Sequence, residues 1–164
     1  MNSPTDLIAC PDALLLDLRA VSGEEAVRAL HAKLGAAAGA VTDAPRLLAD
    51  VLERMRVASV CIADDIALPH ARTSAVDRVV LAVGRAAEGI AFDAKHPRVR
   101  LVFLIGTPKA AVTEYLKVVA ALSRLLKNAA TRAALLAAPG EAEFRALLQP
   151  SLSSGSTGAR GAKP

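Results

Sequence analysis

Residues 64–74 read "DDIALPHARTS", and how this stretch is understood decides the rest of the chain. A short apolar run ends in Pro69, and His70 follows at once. Two aspartates precede the run, and Arg72 comes after it. Pro69 fixes its own φ and pushes Leu68 toward extended backbone, so the histidine stands on a stiff mount. A stiff mount is useful when an imidazole must meet a reactive atom in line. On these residues alone, His70 is either a chemical group or an ordinary residue where a strand meets a loop.

Downstream, three β-rich runs follow. They are "RVVLAVGRA" (78–86), "GIAFDA" (89–94) and "RLVFLIG" (100–106), with a turn "KHPR" before the last. The third is apolar at nearly every position, as in a strand covered on both faces. Upstream lie two helices. Ser22 and Glu25 have capping-box spacing, and Val27, Leu30 and Leu34 recur on one face of the first. Thr42 or Asp43 caps the second, and Pro45 suits its first turn. Leu47, Leu48, Val51, Leu52 and Met55 form its buried stripe. Arg54 falls on the border of that stripe, able to reach into a neighbouring cleft. The opening "LIACPDALLLDL" suggests a short strand or turn. After Thr107-Pro108 the helical period returns through Tyr115, Val118, Val119, Leu122 and Leu126, with shorter helices near 129–137 and 140–148. The tail from residue 150, rich in Gly, Ser and Pro, is expected to be disordered. The order predicts one α/β domain over 1–149, a small mixed sheet covered by helices on both faces.

Bulk composition narrows the function. The chain has 164 residues and 53% hydrophobic content, but only 2% aromatics and no Trp. Single-stranded nucleic acids are bound on aromatic stacking platforms, which this chain lacks, so no nucleic-acid partner is expected. The net charge of +4 is spread without a run. Cys10 and Cys61 stand in unrelated contexts, and three separated histidines offer no zinc spacing, so neither metal nor cofactor is expected. His31 reads as a satisfied boundary residue and His96 as a solvated turn residue. With no leader pattern and no apolar stretch long enough for a bilayer, a cytoplasmic protein without membrane insertion is expected.

The same residues resemble a known family. "DIALPHA" is similar to the segment "GIAIPHG" of the mannitol/fructose-type (type 2) EIIA domains of the bacterial phosphotransferase system, including the nitrogen-regulatory (PtsN-like) branch. "SGEEAVRAL", "VLERMR", "GIAFDAKHPRVRLVFLIGTP" and "YLKVVAALSRLLKN" resemble further family segments, over roughly residues 20–148. The resemblance implies a mannitol-type EIIA fold. It implies a phosphoryl carrier that accepts phosphate on a histidine from an HPr-like phosphocarrier protein and passes it to an EIIB domain, or signals to regulatory targets. His70 matches the acceptor and Arg54 the assisting arginine. Ser59 survives from the loop before the histidine, whose glycines are replaced by Ala58, Cys61, Ala63 and Asp65. Asp64 and Asp65 add negative charge where phosphate would arrive, unless one of them orients the His70 ring. Amides of loop 58–63 are candidates for holding the transferring oxygens. Glu114 aligns with a second family histidine and reads either as a site residue or as a solvated helix-start glutamate. The alternative to a carrier is a degenerate, EIIA-like binding regulator without phosphotransfer. A hydrolase using His70 as general base lacks a nucleophile at recognisable spacing.

Overall fold

The computed structural model describes residues 4–37 and 39–149; the tail beyond 149, for which disorder was expected, lies outside them. The elements run α1 (Pro4–Ala9), β1 (Ala13–Leu15), α2 (Gly23–Ala37), α3 (Ala44–Val57), β2 (Cys61–Ala63), β3 (Ile66–Ala67), β4 (His70–Thr73), β5 (Val80–Ile90), β6 (Val99–Pro108), α4 (Val112–Lys127), α5 (Ala129–Ala137) and α6 (Glu141–Leu147). The chain divides into two compact units. One runs from Pro11 to Leu116; the other joins the segment up to Cys10 with the segment from Lys117 onward.

The first unit holds the sheet. Its six strands follow the order β1-β5-β6-β3-β2, with β4 also paired to β6. The sheet is mixed, as expected. β1 runs parallel to β5, and β3 and β4 run parallel to β6. The β5–β6 and β2–β3 pairs are antiparallel. Helices α2 and α3 pack on each other, α2 against β5 and α3 against β4. Their Ala26, Val27, Leu30, Leu34, Leu47 and Val51 form one core with Val80, Ala82, Val102 and Leu104 of the central strands. The residues between these, Leu81, Val83, Leu101, Phe103 and Ile105, point to the opposite face and are buried too. The continuous apolar run of β6 therefore means what it suggested, a strand covered on both sides.

Local signals explain the helix starts. The Ser22 hydroxyl accepts the Glu25 amide at 3.2 Å, while the Glu25 carboxylate accepts the Val21 amide at 3.1 Å. Free amides of the first turn are thereby satisfied. Asp43 rather than Thr42 caps α3, accepting the Arg46 amide at 3.1 Å. At the edge of the sheet Asp12 anchors β1 to β5. Its carboxylate takes a two-pronged ion pair from Arg78, at 2.8 and 3.2 Å, and the Leu81 amide at 2.9 Å.

The sequence expectations fail at three places. The opening stretch does hold the expected short strand, β1, but a short helix, α1, that was not expected precedes it. The runs at 78–86 and 89–94 are one strand, β5, and pairing ends at Ile90. The ladder shifts register between Arg85 and Ile90, and Gly89 takes φ +84 there. That left-handed conformation costs other residues dearly, and a Cβ at Gly89 would also meet the Arg98 side chain. Gly89 thus sits where the ladder shifts register and lets the long strand continue. Third, the stretch around His70, expected to be a loop and one short strand, forms three short strands, β2 and β3 before the histidine and β4 beginning at it.

Candidate functional site

His70 is the first residue of β4 and lies opposite Ile105 of β6. The backbone beneath it is pinned at both sides of Pro69. The Leu68 amide donates to the Val60 carbonyl at 2.7 Å, and the Ile105 amide donates to the Pro69 carbonyl at 3.0 Å. The stiff mount expected from Pro69 is therefore fixed to the sheet as well.

The ring is fixed in turn. Nδ1 lies 2.9 Å from the Leu68 carbonyl oxygen. A carbonyl can only accept, so Nδ1 carries the hydrogen, and in the neutral ring the lone pair sits on Nε2. Nε2 has no hydrogen-bond partner among the described residues. The ring stacks obliquely on Tyr115, with centroids 5.4 Å apart and planes tilted by 31°. Burial lowers the pKa of His70 from 6.5; the Leu68 bond works against this and the positive charge of Arg54 adds to it. The half-buried imidazole is held neutral near physiological pH.

Arg54 stands in the last turn of α3, the helix packed on β4. One of its amino groups donates to the Ala58 carbonyl at 3.1 Å, closing the helix end. Its charge is felt at both His70 and Tyr115. A guanidinium has five N–H donors in a planar fork, so most of this one remains available to an anion.

The other residues singled out from sequence lie elsewhere. Ser59 donates to the Asp93 carboxylate at 2.9 Å and accepts the Cys61 amide at 3.2 Å. That amide, one of those expected to meet transferring oxygens, is already committed. Asp64 is exposed in the turn between β2 and β3. Asp65 contributes its backbone, its carbonyl accepting the amides of Arg100 and Leu101 at 2.8 and 3.1 Å. Neither aspartate orients the His70 ring; the Leu68 carbonyl does. Glu114 is exposed in the first turn of α4, without a side-chain partner among the described residues. The helix turns by about 100° per residue, and it is the next residue, Tyr115, that meets His70. Sequence reasoning counted Tyr115 only as part of an apolar stripe. The usable signal was "YL" at 115–116, the start of the segment compared with the family's later helix.

His31 behaves as expected, its Nε2 lying 2.6 Å from the Ala44 carbonyl. His96 does not. Its side chain is only 19% exposed, and Nδ1 lies 2.7 Å from the Asp93 carboxylate. Ser59, Asp93 and His96 line a cleft of about 390 Å³ together with Met55, Phe92 and Lys95. Cys61 joins the same neighbourhood, so cysteine, aspartate and histidine meet where sequence spacing gave no hint. Burial pushes the Cys61 thiol pKa up.

Relatives share this architecture. Residues 10–150 match the family described as "Phosphoenolpyruvate-dependent sugar phosphotransferase system, EIIA 2". A "PTS system fructose-specific EIIA component" of Haloferax volcanii is 38% identical over 113 residues, 68% of this chain and 71% of that protein. A "Nitrogen regulatory protein" of Bradyrhizobium diazoefficiens is 29% identical over 125 residues, 76% of this chain and 80% of its own length. The crystal structure of nitrogen regulatory protein IIA-Ntr from Neisseria meningitidis superposes with a TM-score of 0.75 at 22% identity. It covers 84% of this chain and 93% of its own, a likeness of fold. The mixed sheet, the histidine at the head of β4 and a match spanning nearly all the described residues lead to one assignment: the chain belongs to the EIIA 2 family of the phosphoenolpyruvate-dependent sugar phosphotransferase system.

Proposed function

We propose that this protein is a phosphoryl carrier and that Nε2 of His70 is the acceptor. The observation that carries the reading is the bond between Nδ1 and the Leu68 carbonyl, which leaves the lone pair of the neutral ring on Nε2, a nitrogen without a partner among the described residues. A neutral imidazole needs no base to attack phosphorus. The donor is an HPr-like phosphocarrier protein, and the group then passes to an EIIB domain or sets the state of a regulatory target. In the loading step the donor's N–P bond breaks, and its electron pair stays on the donor nitrogen. The lone pair of Nε2 forms the new N–P bond, and no proton changes hands. The remaining demand is positioning and charge stabilisation. Arg54 supplies the charge through its free donors.

A protein partner must dock on this face. Val112, Tyr115 and Leu116 share one side of the start of α4, and Val112 and Leu116 are exposed. They give the approach to His70 an apolar floor for a protein partner. Among the described residues no helix is long and apolar enough to cross a membrane. A cytoplasmic location follows from the partners proposed, and the match over 10–150 supports treating 1–149 as one functional domain.

The second reading, a regulator that binds partners without transfer, is favoured by one observation. Asp64 lies exposed in the turn before β3, without a cationic partner among the described residues, and places negative charge on the loop that leads to His70. Incubation with a phosphoenolpyruvate-driven donor chain separates the two. A gain of one phosphoryl in intact mass, absent in His70→Ala, supports the carrier. No gain with several donor proteins supports the regulator.

A further inference from the structure

The turn after β5 gathers a second set of reactive side chains, separate from His70. One donor atom from each of Cys61, Asp93 and His96 lies within 4.8 Å of the other two. A tetrahedral zinc ion with bonds of about 2.0–2.3 Å holds its ligand atoms about 3.3–3.8 Å apart. The three donor atoms lie within 4.8 Å of one another, so shifts of about 1 Å would bring them to that spacing, and the ion would take the place of the hydrogen that His96 Nδ1 and an Asp93 oxygen share at 2.7 Å. A set of one sulfur, one nitrogen and one oxygen suits borderline ions such as Zn²⁺ and Co²⁺. Mg²⁺ and Ca²⁺ prefer oxygen throughout.

The ligands are also supported from behind. The Ser59 hydroxyl donates to one Asp93 oxygen at 2.9 Å, and the Lys95 amide donates to the other at 3.0 Å. Such outer partners orient a ligating carboxylate. Cys61 opens β2, its amide tied to Ser59 and its strand paired to β3. The Phe92 amide donates to the His96 carbonyl and the His96 amide to the Asp93 carbonyl, both at 3.0 Å, which closes the turn bearing the other two ligands. The cleft lined by Ser59, Asp93 and His96 provides a route for an ion to enter.

We propose that Cys61, Asp93 and His96 bind one divalent ion of the zinc class, with water in the fourth position. Cys61 ligates as thiolate, its proton passing to solvent. The ion staples β2 to the turn after β5. The site stands independently of phosphoryl transfer.

Cobalt substitution of the full-length chain tests this. One Co²⁺ per chain should bind, with a thiolate-to-cobalt charge-transfer band and the intense visible bands of a four-coordinate ion, and Zn²⁺ should displace it. Cys10→Ser should keep the spectrum, Cys61→Ser should abolish the charge-transfer band, and His96→Gln and Asp93→Asn should weaken binding at least tenfold. A second measurement needs no variant. In the wild-type protein Zn²⁺ should protect Cys61, but not Cys10, from alkylation mapped by mass spectrometry. The proposal is overturned if no ion binds, if the thiolate band survives in Cys61→Ser, or if Zn²⁺ leaves the alkylation of Cys61 unchanged.

Discussion

The Leu68 carbonyl oxygen and Nδ1 of His70, 2.9 Å apart, fix which nitrogen of the imidazole can act. The carbonyl belongs to a residue whose own amide is bound to Val60, two positions before the histidine. Ring, proline and strand therefore form one rigid unit, and the nitrogen left without a partner among the described residues is Nε2.

The first consequence concerns pH. Burial lowers the His70 pKa below 6.5, with the Arg54 charge acting in the same direction. The fall in phosphoryl acceptance on acidification should therefore be centred below pH 6.5. Stability follows the same group. Its unfolded value is about 6.5, so the unfolded chain takes up the proton first. The His70 contribution to stability is complete above that value. It is lost as pH falls through the lower folded value. Histidine titration by NMR checks the midpoint; a His70 midpoint above 6.5 contradicts the account.

Removing Arg54 should move two observables together. Arg54→Ala should slow phosphoryl transfer by about 10²–10³-fold, the usual cost of losing one charge-stabilising donor. It should also raise the His70 midpoint, because a neighbouring positive charge has gone. Rapid-quench transfer kinetics and NMR titration measure the pair. Slower transfer with an unmoved midpoint would place the effect elsewhere than on the imidazole.

Tyr115 acts through its ring. Tyr115→Phe keeps the stacking surface and should transfer at nearly the wild-type rate. Tyr115→Ala uncovers one side of His70, so the midpoint should rise toward 6.5 and transfer should slow. Glu114→Ala, on the exposed side of the same turn, should change neither.

Two substitutions probe the scaffold. A Cβ on Gly84 would come within 2.7 Å of Leu18 and 3.1 Å of Leu30, where α2 lies close on β5. Gly84→Ala should cost about 1–3 kcal/mol through overpacking. Asp12→Ala removes the Arg78 pair and the acceptor for the Leu81 amide, and should cost about 2 kcal/mol. Urea denaturation monitored by circular dichroism reads both.

Much of this was legible beforehand, for physical reasons. The β6 run was apolar because both its faces are covered, and Arg54 showed itself by sitting beside a clean helical stripe. What sequence concealed depended on backbone geometry or distant meetings. The runs at 78–86 and 89–94 read as separate, and the left-handed Gly89 joins the first to the start of the second within β5. Glu114 and Tyr115 differ by one helical step, and that step decides which of them meets His70. Cys61, Asp93 and His96 carry no local motif; the fold of β2 against the turn after β5 brings them together.

The central claim concerns one nitrogen, and nitrogen-resolved NMR of the loaded protein tests it. After loading with ¹⁵N-histidine-labelled protein and a phosphoenolpyruvate-driven donor, the account predicts phosphorus coupled to Nε2 of His70, with Nδ1 still protonated. Phosphorus on Nδ1, on His31 or His96, or on no histidine at all would contradict it.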